Sequence, residues 1–138
     1  MLRLKKSGRT KYEITSDGRP LTVIEGRSGG QFRLDGGSYL IRRRLRTYRL
    51  LTADGSVLAS AHRPGTRSWS VETAGSVLRF RRTGRRDHDQ VDEAGNTLGT
   101  VTAESADLPG VEPELQVFVL AALAMRSRRR RVVVVAGR

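Results

Sequence analysis

Hydrophobic and polar residues alternate through most of this chain. Val57, Ala59 and Ala61 fall on one side of their segment, with Leu58, Ser60 and His62 on the other. Trp69, Val71 and Thr73 share a side, as do Leu98, Thr100 and Thr102. A period of two marks strands buried on one face. The alternation is punctuated by a Gly-x-x-Leu unit that recurs five times, beginning at Gly18, Gly37, Gly55, Gly75 and Gly95, in steps of 19, 18, 20 and 20 residues. Asp17, Gly36, Asp54, Ala74 and Ala94 precede these glycines. Asp-Gly and similar pairs tolerate the positive φ that short hairpin turns require. Each period has room for two strands of about seven residues and their turns, so the repeats predict five hairpins and about ten strands in an antiparallel meander.

The pattern changes at Leu108-Pro109-Gly110. Glu112, Pro113 and Glu114 suit the first turn of a helix, where a proline lacks no needed donor and acids meet the positive end of the dipole. After Gln116 no polar residue appears for nine positions, Val117 to Met125. A helix lying on a sheet shows a polar stripe; this one shows none. At about 1.5 Å per residue the run is also too short to span a bilayer, which needs about 20 residues. The consistent solution is a closed barrel with the helix as its axial plug, an arrangement that also removes the sheet edges. Val132 to Val135, with strong strand propensity, is expected to form either a last strand or a tail.

Composition narrows the chemistry. The 138 residues suit one domain with one core. Without cysteine, disulfides, thiolate nucleophiles and thiolate-held metals are excluded. The N-terminal stretch lacks the apolar core of a signal peptide, so the expected location is the cytoplasm, with peripheral attachment to a membrane as an option and no integral span.

The net charge of +12 is unevenly spread: residues 1–86 hold 20 basic and 6 acidic groups, residues 87–114 hold 8 acids and no Lys or Arg, and residues 115–138 hold 6 Arg. Such a field favours polyanions, either an anionic membrane surface or nucleic acid. The competing explanation is codon bias in a GC-rich bacterial genome, since only 3 of the 26 basic residues are Lys.

A meander of Asp-Gly hairpins followed by an enclosed apolar helix resembles the Tubby C-terminal-like superfamily, which includes the LURP-one-related proteins and the phospholipid scramblases. The segments that carry the resemblance are Tyr48 to Leu58 and Glu112 to Leu123 with its trailing arginines, within a span of roughly residues 2–131. The resemblance implies a twelve-stranded barrel around a helix and binding of phosphoinositides or other anionic lipids. The calcium-linked segment and longer apolar anchor of scramblases are not matched, and no phosphoinositide site carries over residue by residue.

The expected fold is therefore mainly β with one helix: an antiparallel closed β-barrel of about 10–12 strands around a buried apolar C-terminal helix. The barrel domain would cover residues 1–131, with the helix at about 112–130 and a last strand or tail at 132–138. A YD-type repeat array shares the period but leaves the helix unexplained.

Three arginine clusters are candidates for an anionic ligand: Arg42, Arg44 and Arg46, expected to point one way along a strand; Arg79 and Arg81, expected to share a face; and Arg128 and Arg130 after the helix. Rows on neighbouring strands could merge into a patch that takes phosphates by bidentate bonding. Asp87-His88-Asp89 has metal-ligand chemistry, but alternate strand residues point apart. Asp89, Asp92 and Glu93 lack the twelve-residue calcium-loop pattern. No serine has an identifiable base. The expectation is a non-enzymatic binding module without catalytic residues, metal or cofactor. Its expected partner is an anionic membrane lipid or another protein, with nucleic acid as runner-up.

Overall fold

The computed structural model describes residues 1–26 and 29–136, with side chains described as far as Ser127. Twelve strands precede one helix: β1 (Leu2–Gly8), β2 (Lys11–Ser16), β3 (Arg19–Glu25), β4 (Gly29–Leu34), β5 (Gly37–Arg44), β6 (Thr47–Thr52), β7 (Val57–His62), β8 (Ser68–Thr73), β9 (Val77–Arg82), β10 (His88–Val91), β11 (Thr97–Val101), β12 (Ser105–Asp107) and α1 (Pro113–Ala136). Every strand pairs antiparallel with its chain neighbours, and β1 closes on β12 through Leu2↔Ala106 and Arg3↔Ser105. The Leu4 amide adds a bond to the Glu104 carbonyl at 2.8 Å.

The five Gly-x-x-Leu units make the five hairpin turns at one end of the barrel. At Asp17-Gly18 and Asp35-Gly36 both central residues have positive φ (49° and 82°, 49° and 79°). This is the twist that matches right-handed strands. Five hairpins account for ten strands; β1 and β12 complete the twelve. Leu21, Leu58 and Leu98, the last residues of three units, each occupy the extra position of a β-bulge. The bulge at Leu58 breaks the simple alternation of β7: Ala59 and Ala61 are buried, while Val57 is 53% exposed.

Inside the barrel the strands present Ile14, Ile24, Phe32, Ile41, Leu50, Val71 and Phe80 to the helix, all in one cluster with Val117, Phe118 and Leu120. The eight consecutive residues Val117 to Ala124 are at most 7% exposed. At 3.6 residues per turn, eight in a row cover every direction around the axis, so protein surrounds the helix completely. Val132 to Val135 continues α1 and does not form a last strand. With β1 paired to β12 the barrel has no free edge for another strand to join.

Gly29 lets the backbones of β4 and β5 approach closely. A Cβ on Gly29 (φ 138°) would sit 2.1 Å from the Ile41 carbonyl oxygen of the neighbouring strand.

Leu120 tests the plug. Leu120→Asp places an unpaired carboxylate in the barrel axis and should abolish cooperative folding, while Leu120→Ala should cost about 2–5 kcal/mol. Thermal melts followed by circular dichroism check both. Near wild-type melting of the aspartate variant would show that the helix is not enclosed.

Candidate functional site

Because every connection reverses the chain, links between strands alternate between the two ends of the barrel. At one end lie Asp17, Asp35, Asp54, Asp92, Glu93 and Glu112, and the links there contain no Lys or Arg. At the other end the described links carry Arg9, Arg46, Arg63, Arg67, Arg85 and Arg86 against two acids, Asp87 and Glu104. The helix starts at the acidic end and emerges at the basic one, where Met125 lies beside Gly30 and Arg126 beside Gly65. The chain thus builds a barrel with an acidic pole and a basic pole.

The acids have local work. Asp54 accepts hydrogen bonds from the Thr52 hydroxyl and from the Ser56 amide at 3.0 Å, and these hold its pKa down at about 2. Asp92 accepts from the Ala94 and Asn96 amides, both at 2.9 Å, and its pKa is likewise lowered, with the Asn96 bonds the largest cause. These carboxylates organise turns.

The strand arginines of the sequence clusters lie on two parts of the outer wall. Arg42 and Arg44 are exposed on the outer wall of β5. Arg42 is directly opposite Arg49 of β6, a like-charge pair that costs stability. Among the described residues none of these three is in an ion pair. Arg46 does not continue their row, because β5 ends at Arg44 and Arg46 lies across the tight turn at Leu45. Arg79 and Arg81 do share the outer face of β9, but opposite charges accompany them. Arg79 is 3.7 Å from Glu93, and Arg81 is opposite Asp89.

The β5 and β9 rows do not merge into one patch. Three strands separate them, about 19 Å along the sheet at the usual strand spacing. The side chains of Arg128 and Arg130 lie outside the described residues.

Arg43 is not separable from its cluster in the sequence, and Arg63 and Arg126 stand outside the candidate clusters; the structure sets all three at the mouth of the barrel. Arg43 has the parity of Tyr39 and Ile41 and turns inward; Arg126 is the first charged side chain after the apolar run. With Arg46, Arg63, Tyr48 and His62 they line a cavity of about 1030 Å³ where the helix emerges. The missing signal was inward parity, which can be assigned only once Ile41 is known to face the core.

Leu45, at the tip of the β5–β6 turn, is 81% exposed and has φ 57°. A bulky side chain is an outlier in that region. Arg44 and Arg46 bracket it, and both are exposed.

Below the mouth sits a buried aromatic group. Trp69 stacks on Phe80 with ring centroids 4.2 Å apart and donates from Nε1 to Nδ1 of His88 at 3.1 Å. Burial of the imidazole, reinforced by Arg82 and Arg126, lowers the His88 pKa from 6.5 to about 4. Asp87 is exposed while His88 is turned into the core, so the Asp87-His88-Asp89 sequence does not converge on a common ion. Among the described residues no three His, Asp or Glu side chains do. No helix of the described residues is long and apolar enough to cross a membrane.

Comparison of the chain with protein-family models, with curated proteins and with solved structures found no match.

His88 makes stability depend on pH. Its folded pKa lies below its unfolded value, so its contribution is complete above pH 6.5 and is lost as pH falls towards about 4, where the folded protein takes up the proton as well. The loss should be on the order of 1–3 kcal/mol. Denaturant midpoints measured across that window should fall in the wild type and stay flatter in His88→Asn. An equal slope in the two proteins would place the acid sensitivity elsewhere.

Proposed function

We propose that this protein is a non-enzymatic module that docks its basic pole on anionic membrane surfaces, as the resemblance to Tubby-like and LURP-one-related proteins implies. The observation that carries this reading is Leu45. A leucine held 81% exposed at positive φ, at the outermost point of a turn between two exposed arginines, costs stability and gives the fold nothing. It suits a membrane interface, where an apolar side chain enters the acyl boundary and flanking cations meet headgroup phosphates. Arg42, Arg44 and Arg49, close together and without ion pairs among the described residues, widen the contact.

Nucleic acid is the weaker alternative. Single-strand binding relies on exposed aromatic platforms, and here every Phe, Tyr and Trp is buried or half-buried. The acidic pole would face away from the bilayer, which orients the barrel with its axis along the membrane normal.

Vesicle co-sedimentation tests the proposal. The protein should bind phosphatidylcholine vesicles containing phosphatidylserine and not phosphatidylcholine alone, and binding should weaken with added salt as screening contracts to about 8 Å. Replacing Arg42, Arg44 and Arg46 by Gln should cost about 1 kcal/mol of binding per residue. Leu45→Gly should weaken vesicle binding while keeping or raising the melting temperature, because glycine relieves the backbone conformation. Equal binding to neutral and anionic vesicles, or tighter binding to duplex DNA at matched salt, would overturn the reading.

A further inference from the structure

One sector of the outer wall carries a continuous apolar row. Leu40 of β5 is directly opposite Leu51 of β6, and Leu51 is opposite Val57 of β7. Leu40 and Leu51 are half-buried, Val57 is exposed, and none of the three belongs to the core or packs against it. Their sequence neighbours Ile41 and Leu50 are buried, so the period of two turns Leu40 and Leu51 outward. Single exposed aliphatics are ordinary, but three in register on adjacent strands form a patch, and such patches mark interaction sites.

Beside the row the wall dips. β3 and β4 are in register at one pair only, Glu25↔Gln31, and further along the Thr22 hydroxyl donates to the Arg33 carbonyl at 2.6 Å. A groove of about 560 Å³ lies over these parted strands, lined by Val23, Phe32, Tyr39, Leu40 and Ala53, and it meets the row at Leu40.

The charges flanking this surface are positive. Arg42 and Arg49, opposite each other, lie one step from Leu40 and Leu51 towards the basic pole, and Arg33 lines the groove. Among the described residues none of these three arginines is in an ion pair. Two acids at the edges are already engaged: Glu25 is 3.7 Å from Lys11, and Asp54 accepts from Thr52 and Ser56. An occupant that complements the surface brings apolar side chains for the row and carboxylates for its flanks. Spacing selects its form. Neighbouring strands are about 4.8 Å apart, and a helix rises about 5.4 Å per turn. A helix laid across the strands sets successive turns of its apolar face over β5, β6 and β7. An extended segment, whose side chains recur on one face every 7 Å or so, falls out of step (about twice its 3.4 Å rise).

We infer that the β5–β7 outer wall docks an acidic amphipathic helix of a partner protein, its apolar face on Leu40, Leu51 and Val57 and its carboxylates on Arg33, Arg42 and Arg49. This goes beyond membrane docking and does not depend on it. Leu51 and Val57 flank the turn at Asp54-Gly55, so the row lies towards the acidic pole. A barrel seated on a bilayer by its basic pole keeps the row clear of lipid.

Fluorescence anisotropy with a labelled peptide of about 18 residues, long enough to hold a helix, tests the site. The peptide carries leucines along one face and glutamates beside them. Saturable binding is expected, and it should be lost when lysines replace the glutamates or when the same leucines are scattered around the helix. The double variant Leu40→Thr, Leu51→Thr should weaken binding by about tenfold or more. Threonine suits a strand and neither leucine is in the core, so this variant should melt close to the wild type. Arg42→Gln with Arg49→Gln should weaken binding and flatten its salt dependence, and should melt at or above the wild type because a like-charge pair is removed. No saturable binding, equal binding of a control peptide, or wild-type affinity in the leucine variant would overturn the inference. Self-association of the protein that the leucine variant abolishes would assign the row to a second copy and overturn it too.

Co-sedimentation with phosphatidylcholine vesicles containing phosphatidylserine keeps the two readings apart. The leucine variant should bind vesicles as the wild type does, and Leu45→Gly should bind the peptide as the wild type does. Loss of vesicle binding in the leucine variant would make the row a lipid contact and overturn the inference. Peptide binding without any vesicle binding would support it and sink membrane docking.

Discussion

The structure depends on hiding one segment from water. Val117 to Ala124 has no polar side on which a helix could rest against a sheet, and only complete enclosure satisfies it. Enclosure in turn demands closure, because an open sheet covers one face of a helix and a barrel covers all of them. The β1–β12 pairing that completes the wall is short, with register at Leu2↔Ala106 and Arg3↔Ser105. A seam of two residue pairs is weak as a ladder, and Leu2, Ala106 and Leu108, all buried in the common core, add side-chain packing to it. The helix and the seam are thus mutually dependent: the plug supplies the apolar surface that holds the seam shut, and the closed seam keeps water from the plug.

A closed meander has a second consequence, which concerns charge. Its connections fall alternately at the two ends, so residues one strand apart in sequence are separated by the whole height of the barrel, while residues one hairpin apart are neighbours. Asp-Gly meets a backbone need at three of the five hairpin turns, Asp17-Gly18, Asp35-Gly36 and Asp54-Gly55, and Asp92 and Glu93 add to the fifth, which concentrates acids at one pole. Most of the described intervening links carry arginines instead. Two periodic sequence features, each one hairpin long and half a period out of phase, are enough to polarise the molecule along its axis.

Much of this was legible in the sequence, and the illegible parts have a common cause. The Gly-x-x-Leu units locate the hairpins, and the polar-free run locates the plug, because both are local patterns. β1 and β12 lie outside the repeat, and the closure that pairs them is a long-range event; only the resemblance to Tubby-like proteins pointed to twelve strands. Val132 to Val135 looked like a strand because β-branched residues favour one, yet a closed barrel has no edge to offer it and the existing helix propagates instead. Arg42, Arg44 and Arg46 looked like one row because strands alternate, but a turn at Leu45 intervenes. Arg43 was hidden in its cluster because its inward direction depends on which face of β5 meets the core.

The arginine excess raises the question of whether composition or selection placed it. Codon bias accounts for arginine in place of lysine, and for a high count overall. It acts without regard to barrel topology, and so predicts basic residues scattered over both poles. The links at the acidic pole contain none, whereas those at the other pole carry six in the described residues alone. Bias also predicts no preference for costly settings. Arg42 facing Arg49, Arg63 at positive φ, and Arg43 on the inward row of β5 are all settings that a merely solubilising arginine would leave. Arg79 beside Glu93, out on the wall, is what an unselected surface arginine looks like, exposed and offset by a neighbouring acid. The contrast between that pair and the arginine-rich links shows that the charge pattern follows position along the barrel axis.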